Sequence, residues 1–151
     1  FRVLPTLISA GREIRKNESP ESDERKLLLR NLRRNSSNAV AKFVANPEAY
    51  ASDEEVVKLA AAVDGSVLTV LGKTNFAADK ELVTSCLKRY VVKNSEEPLL
   101  SRTEGVDFDY EQCLIACRRD GRNYFFIPEQ FRSDERLKQI AYENGAERYK
   151  K

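Results

Sequence analysis

Apolar residues recur along the chain in short sets at helical spacing, each opened by acidic residues and most closed by basic ones. Val56, Val57, Ala60 and Val63 form one set, Leu82, Val83, Cys86, Leu87 and Tyr90 a second, and Cys113, Leu114, Ala116 and Cys117 a third. Steps of three and four residues bring each set onto one face, which predicts amphipathic helices of about three turns. An Asp or Ser at the entry can accept hydrogen bonds from first-turn amides, and the Glu that follows lies at the positive end of the helix dipole. Arg33-Arg34, Lys88-Arg89 and Arg118-Arg119 fall in the last turns, where cations suit the orphan carbonyls. Asp64-Gly65 and Asp120-Gly121 supply the breaks.

Shorter apolar stretches lie between these sets: Ala39 to Val44, Ser66 to Leu71, and Asn123 to Ile127. Their β-branched and aromatic content would also suit strands, but the repeated helical context predicts a second short helix in each. An aromatic stands three residues before the Asp in three places, as Tyr50, Phe76 and Phe131, where it can pack over the next helix entry as a hydrophobic staple.

The chain also matches itself. Asn46-Pro47-Glu48-Ala49-Tyr50-Ala51-Ser52-Asp53-Glu54 and Ile127-Pro128-Glu129-Gln130-Phe131-Arg132-Ser133-Asp134-Glu135 share one pattern, x-P-E-x-aromatic-x-S-D-E. The Asp-Gly pairs stand eleven residues after Asp53 and Asp109. With Asp23 and Asp79 the acidic starts fall at 23, 53, 79, 109 and 134, which is the period of a helical repeat array. The expected fold is all-α, roughly ten short helices paired as antiparallel hairpins and stacked in a small, curved, solenoid-like domain. Residues 1–151 form this single domain, with 1–21 as an N-terminal capping helix and linker in which Val3, Leu4, Leu7 and Ile8 cover the first repeat.

The succession of Asp-x-Glu, an alanine- and valine-rich helix, Asp-Gly and a short apolar helix resembles a helical repeat family of unknown function. That family is found mainly in secreted effectors of intracellular bacteria and in protists. The match runs from Ser52 to Gly145 and is best in Ser52 to Leu71 and Asp109 to Ile140; from Tyr90 to Asp107 the spacing is irregular, through Asn94-Ser95-Glu96-Glu97-Pro98 and Arg102-Thr103-Glu104-Gly105. The resemblance implies an effector acting in a host cell and brings no catalytic residue with it.

Composition narrows the chemistry. The 151 residues carry 26 Lys plus Arg against 24 Asp plus Glu, a net charge of +2, and no histidine. Ser/His/Asp triads, Cys/His dyads and His-ligated zinc are thereby excluded. Methionine is absent too, which predicts a processed product or a piece of a longer protein. No unbroken apolar run exceeds Leu59 to Val63 in length, against the roughly 20 residues a spanning helix needs, so no transmembrane segment is expected. Three cysteines, Cys86, Cys113 and Cys117, make an odd set that suits a reducing, cytoplasmic compartment, including a host cytosol.

Four groups of residues are candidates for a site. Cys113 and Cys117 share a helix face but lack the further ligands of a zinc site, so they read as buried apolar residues, with no metal and no cofactor. The acidic pairs recur at every helix entry, as capping demands, and no D-x-D-x-D-G calcium loop is present. Tyr124, Phe125 and Phe126, followed by Ile127, are the densest aromatic run; four bulky neighbours cannot all face inward, so one or two should be exposed as anchors for a protein partner. Lys26, Arg30, Arg33 and Arg34 share one side of the first repeat helix and could bind an anionic surface, either a lipid headgroup such as a phosphoinositide or nucleic acid. The leading expectation is a non-catalytic protein interaction module. The alternatives are an anionic-ligand binder and, last, a Cys-dependent enzyme.

Overall fold

The computed structural model describes residues 22–149, so the capping helix and linker expected over residues 1–21 lie outside the described residues. The α-helices are α1 (Asp23–Arg33), α2 (Ser37–Ala45), α3 (Glu54–Val63), α4 (Leu68–Leu71), α5 (Lys80–Arg89), α6 (Tyr110–Arg119) and α7 (Glu135–Glu143). Between them run 3₁₀ turns at Pro47–Tyr50, Gly65–Val67, Leu99–Arg102, Gly121–Phe126, Glu129–Phe131 and Ala146–Tyr149. Among the described residues there is no strand, and the chain is all-α.

Helix entries follow the acidic pattern. The carboxylates of Asp53, Asp79, Asp109 and Asp134 accept from the amides of Val56, Leu82, Gln112 and Leu137, and each residue is an N-cap. At Asp109 the Gln112 side chain also accepts the Asp109 amide, completing a capping box. The first helix differs. Its cap is Ser22, with Asp23 and Glu24 inside the first turn. Its buried residues Leu28, Leu29 and Leu32 stand at the same spacing as Val56, Val57 and Ala60, so that Arg25 rather than Asp23 matches Asp53. α1 therefore begins about one turn earlier than its counterparts.

α1 packs on α3, α3 on α5, α5 on α6 and α6 on α7, in chain order. The elements between them also meet in succession: α4 touches Leu99–Arg102, which touches Gly121–Phe126, which touches Ala146–Tyr149. Close approach of the long helices rests on small residues. Ala60, Cys86, Ala116 and Ala141, each seven residues after its cap, are fully buried. Gly65 lies against the end of α5, where an added Cβ would collide with the Cys86 carbonyl and sit 2.6 Å from the Tyr90 nitrogen. Gly121 repeats this against α7, colliding with the Ala141 carbonyl and 2.7 Å from the Ala146 nitrogen. Glycine in the Asp-Gly pair thus serves helix packing as well as the break.

Two of the three second helices are shorter than expected. Ala39 to Val44 lies in a full helix, α2, but Ser66 to Leu71 divides into a 3₁₀ turn and the one-turn α4, and Asn123 to Ile127 lies mostly in 3₁₀ geometry. Each begins at a cap, Ser36, Asp64 or Asp120, but Gly72 and Pro128 stop the latter two before an α-ladder can lengthen. Tyr50, Phe76 and Phe131 occupy one recurring turn, in which their carbonyls accept from the amides of Asp53, Asp79 and Asp134. Phe131 meets Tyr110 of the preceding helix edge-on at 5.7 Å, and Tyr50 packs near Phe43. These two side chains face back toward earlier residues.

Candidate interaction surfaces

The irregular stretch after α5 is held by side chains of the unit that follows it. Where α3 and α6 end in Asp64-Gly65 and Asp120-Gly121, α5 ends in Tyr90-Val91. Tyr90 is buried and Val91, at 68% exposure, leaves the packed face. The backbone from Val91 to Glu97 then runs without regular structure, with the Glu96 amide donating to the Lys93 carbonyl inside it. Arg122 adds donors from the next unit. Its guanidinium donates to the carbonyls of Glu96 at 2.8 Å, Lys93 at 3.2 Å and Asn94 at 3.4 Å, and is held by the Asp120 carboxylate at 2.7 Å. Both members of this ion pair are buried.

Asn123, fully buried beside them, donates to the Tyr90 hydroxyl at 3.1 Å and the Ala116 carbonyl at 3.0 Å, and accepts the Leu100 amide at 3.1 Å. Burial pushes the Tyr90 phenol above its ordinary pKa, so it stays protonated. Arg102 donates to the Glu97 carbonyl from the far side of the loop. Because the grip is on main-chain carbonyls, the side chains of Lys93, Asn94, Ser95, Glu96 and Glu97 stay exposed. Sequence reasoning placed no role on Asp120, Arg122 or Asn123 beyond the break. The available signal was the missing Asp-Gly after α5.

The basic exits act between helices. Arg119 donates to the Leu87 and Lys88 carbonyls at the end of α5 and lies 5.0 Å over the Tyr90 ring, while Arg89 reaches the Ala62 carbonyl in α3. Each cation satisfies the C-terminus of the preceding long helix, where the sequence had placed it near its own. The N-terminal edges are linked in the same sense. Arg25 donates to the Asp53 carboxylate at 2.6 Å, Lys80 pairs with Asp109 at 3.0 Å, and the Tyr110 hydroxyl donates to Asp134 at 3.2 Å.

The aromatic run does not stand out from the surface. Tyr124 is buried, with its hydroxyl donating to the Arg132 carbonyl, and meets Phe125 edge-on at 5.6 Å. Phe125 and Phe126 are half-buried against the core, and Ile127 is buried. The expected exposure of one or two of these residues is therefore not found. A 3₁₀ segment turns successive side chains through about 120°, which distributes three bulky neighbours over several packed directions. Lys26, Arg30 and Arg33 on α1 and Arg34 at its C-cap are all exposed, as expected. Arg33 is paired with Glu55 of α3, while Lys26, Arg30 and Arg34 enter no ion pair among the described residues.

A shallow, open groove of about 580 Å³ lies along α5, lined by Lys80, Glu81, Thr84, Ser85, Lys88 and Arg89, of which Lys80 and Thr84 also contact α6 and Arg89 contacts α3. Cys86, Cys113 and Cys117 are free and fully buried, and burial pushes each thiol up to about 12. Such thiols are protonated at neutral pH and make poor nucleophiles. Among the described residues no cluster of three metal-ligating side chains occurs, and no helix is long and apolar enough to cross a membrane. Comparison of the chain with protein-family models, curated proteins and solved structures finds no match.

Proposed function

We propose that this chain is a non-catalytic protein interaction module, a small curved stack of helical hairpins whose outer helix faces receive a partner. The observation that carries this reading is the contrast between inner and outer positions of equivalent helices. Seven residues after each cap stand Ala60, Cys86, Ala116 and Ala141, all small and buried. Nine residues after each cap stand Ala62, Lys88, Arg118 and Glu143, all exposed and of differing charge. A stack that fixes its buried stripe while its surface varies suits recognition of another protein. The α5 groove includes one of these outer positions, Lys88. The resemblance over Ser52 to Gly145 adds that the partner is a host-cell protein met in a reducing cytosol, and the three free, buried thiols support that compartment.

Affinity capture from a eukaryotic cytosolic lysate tests this. The intact chain should retain a protein at physiological as well as low salt, and a Glu81→Lys plus Lys88→Glu variant at two exposed positions of α5, checked for unchanged melting temperature, should lose it. Retention of nothing at physiological salt would refute the reading. The half-buried Phe125 and Phe126 are unsuited to such a test, since their truncation would disturb packing.

A further inference from the structure

We propose that the outer face of α1 is a docking face for an anionic lipid surface. On a helix with 100° per residue, Lys26, Arg30, Arg34 and Leu27 fall within one arc of about 100°, shared at its N-terminal end by Asp23, opposite the buried Leu28, Leu29 and Leu32. The other two cations of the helix are paired with α3: Arg25, half-buried, with Asp53 and Glu55, and Arg33, exposed, with Glu55. The helix thus separates its basic residues into a set spent on its neighbour α3 and a set presented to solvent.

The presented set has a composition that favours a membrane over nucleic acid. Leu27, at 43% exposure, is one of two exposed large hydrophobic residues among those described, and it lies on the edge of the cationic arc. An apolar side chain beside Lys and Arg can enter the headgroup boundary while the cations remain at its anionic level. A nucleic-acid face would instead gain from aromatic or amide side chains that stack on or read bases, and this arc holds none. The last two turns of α1 carry no acidic residue, so the repulsion of Asp23 and Glu24 is confined to its start.

Sedimentation of the intact chain with vesicles of phosphatidylcholine alone, or of phosphatidylcholine with phosphatidylserine, tests the assignment at low salt and at about 0.15 M salt. Binding should require phosphatidylserine and weaken with salt. A Lys26→Glu, Arg30→Glu, Arg34→Glu variant should lose about a hundredfold in vesicle affinity, as expected for three surface cations. Lys42→Glu, Lys73→Glu, Lys138→Glu makes the same change of net charge at exposed positions elsewhere and should change affinity less than about threefold. Leu27→Ser should weaken binding about threefold without altering its salt dependence. Unchanged circular dichroism and melting temperature establish that each variant is folded. Absence of phosphatidylserine-dependent binding at low salt, or equal loss in the two triple variants, would overturn the proposal. So would a DNA duplex that displaces the chain from vesicles at equal phosphate concentration.

Discussion

The hairpin from Asp53 to Leu71 and the longer segment from Asp79 to Arg102 begin alike and end differently. Both open on an Asp that caps its helix, and both bury the same face, Val56, Val57 and Ala60 in one and Leu82, Val83 and Cys86 in the other. The first then turns within its own sequence: Asp64 caps the next turn through the Ser66 amide, and Gly65 permits contact with α5. The second has Tyr90 and Val91 at those places and runs into an irregular loop that its own Glu96 amide and Arg102 support only in part. Further main-chain partners come from the next unit, as Arg122 and Asn123. An irregular insertion is thus tolerated where a neighbouring unit supplies buried donors and acceptors. The break after α3 is capped by its own Asp64, whereas the loop after α5 is held chiefly by Arg122 and Asn123 of the next unit.

Removing that external support should produce the largest effect. Asp120→Ala leaves the buried Arg122 guanidinium without its carboxylate, and breaking a buried pair by removing one partner costs about 3–5 kcal/mol. Urea denaturation should show this loss, together with raised hydrogen exchange at Leu100, whose amide bonds to Asn123. The equivalent Asp64→Ala removes only a partly exposed cap and should cost about 1 kcal/mol. Equal losses at the two sites would contradict the distinction between local and external support.

The glycine positions should separate next. Gly121→Ala forces a Cβ against the Ala141 backbone, which cannot yield as a flexible side chain would, and should cost about 2–3 kcal/mol. Val91 occupies the matching place after α5 but stands 68% exposed, so Val91→Ala should remain within about 0.5 kcal/mol of the parent. Thermal melts of both variants provide the check.

These contrasts also show what the sequence could reveal. Helix entries were legible because one residue type, Asp, recurs where an amide needs an acceptor, and the buried stripes were legible from their spacing. The short second elements were not, because α4 and Gly121–Phe126 are only a few residues long and their apolar content fits several geometries. The aromatic run misled for a related reason: inferred exposure of Phe125 or Phe126 assumed a single helical face, whereas the 3₁₀ path spreads the rings. Arg122 was hidden because its partners are carbonyls, which every residue offers. Lys26, Arg30 and Arg34 were legible as a surface from spacing alone, but their division from Arg25 and Arg33 depended on where α3 places Asp53 and Glu55.

Tyr90 allows a finer test of the supported loop. Tyr90→Phe keeps the ring under Arg119 and removes the hydroxyl that accepts from Asn123, which retains its bond to the Ala116 carbonyl. A loss of about 1–2 kcal/mol is expected, less than for Asp120→Ala because no charge is stranded. Chemical denaturation of the single variants and of Tyr90→Phe with Asn123→Leu should show non-additive losses, since the two residues share a bond.

The smallest difference lies between caps on the N-terminal edge. Asp53 and Asp79 both cap helices, but Asp53 also accepts from Arg25 across the α1 junction, and that hydrogen bond holds its carboxyl below the usual value of 3.8. A carboxyl depressed in the folded state contributes stability that is present above the unfolded value and is lost as pH falls toward the folded one. Asp79→Ala should cost about 1 kcal/mol at neutral pH and Asp53→Ala a few tenths more, after screening of a partly exposed pair. The stability difference between the parent and Arg25→Ala should shrink as pH falls below about 3.8, whereas the difference between the parent and Asp79→Ala should show no dependence on Arg25. Urea midpoints across that acid range measure both. A difference for Arg25→Ala that stayed constant through the range would mean that the Arg25 side chain stabilises the junction by packing its stem against α3, and that the carboxylate contributes only as a cap.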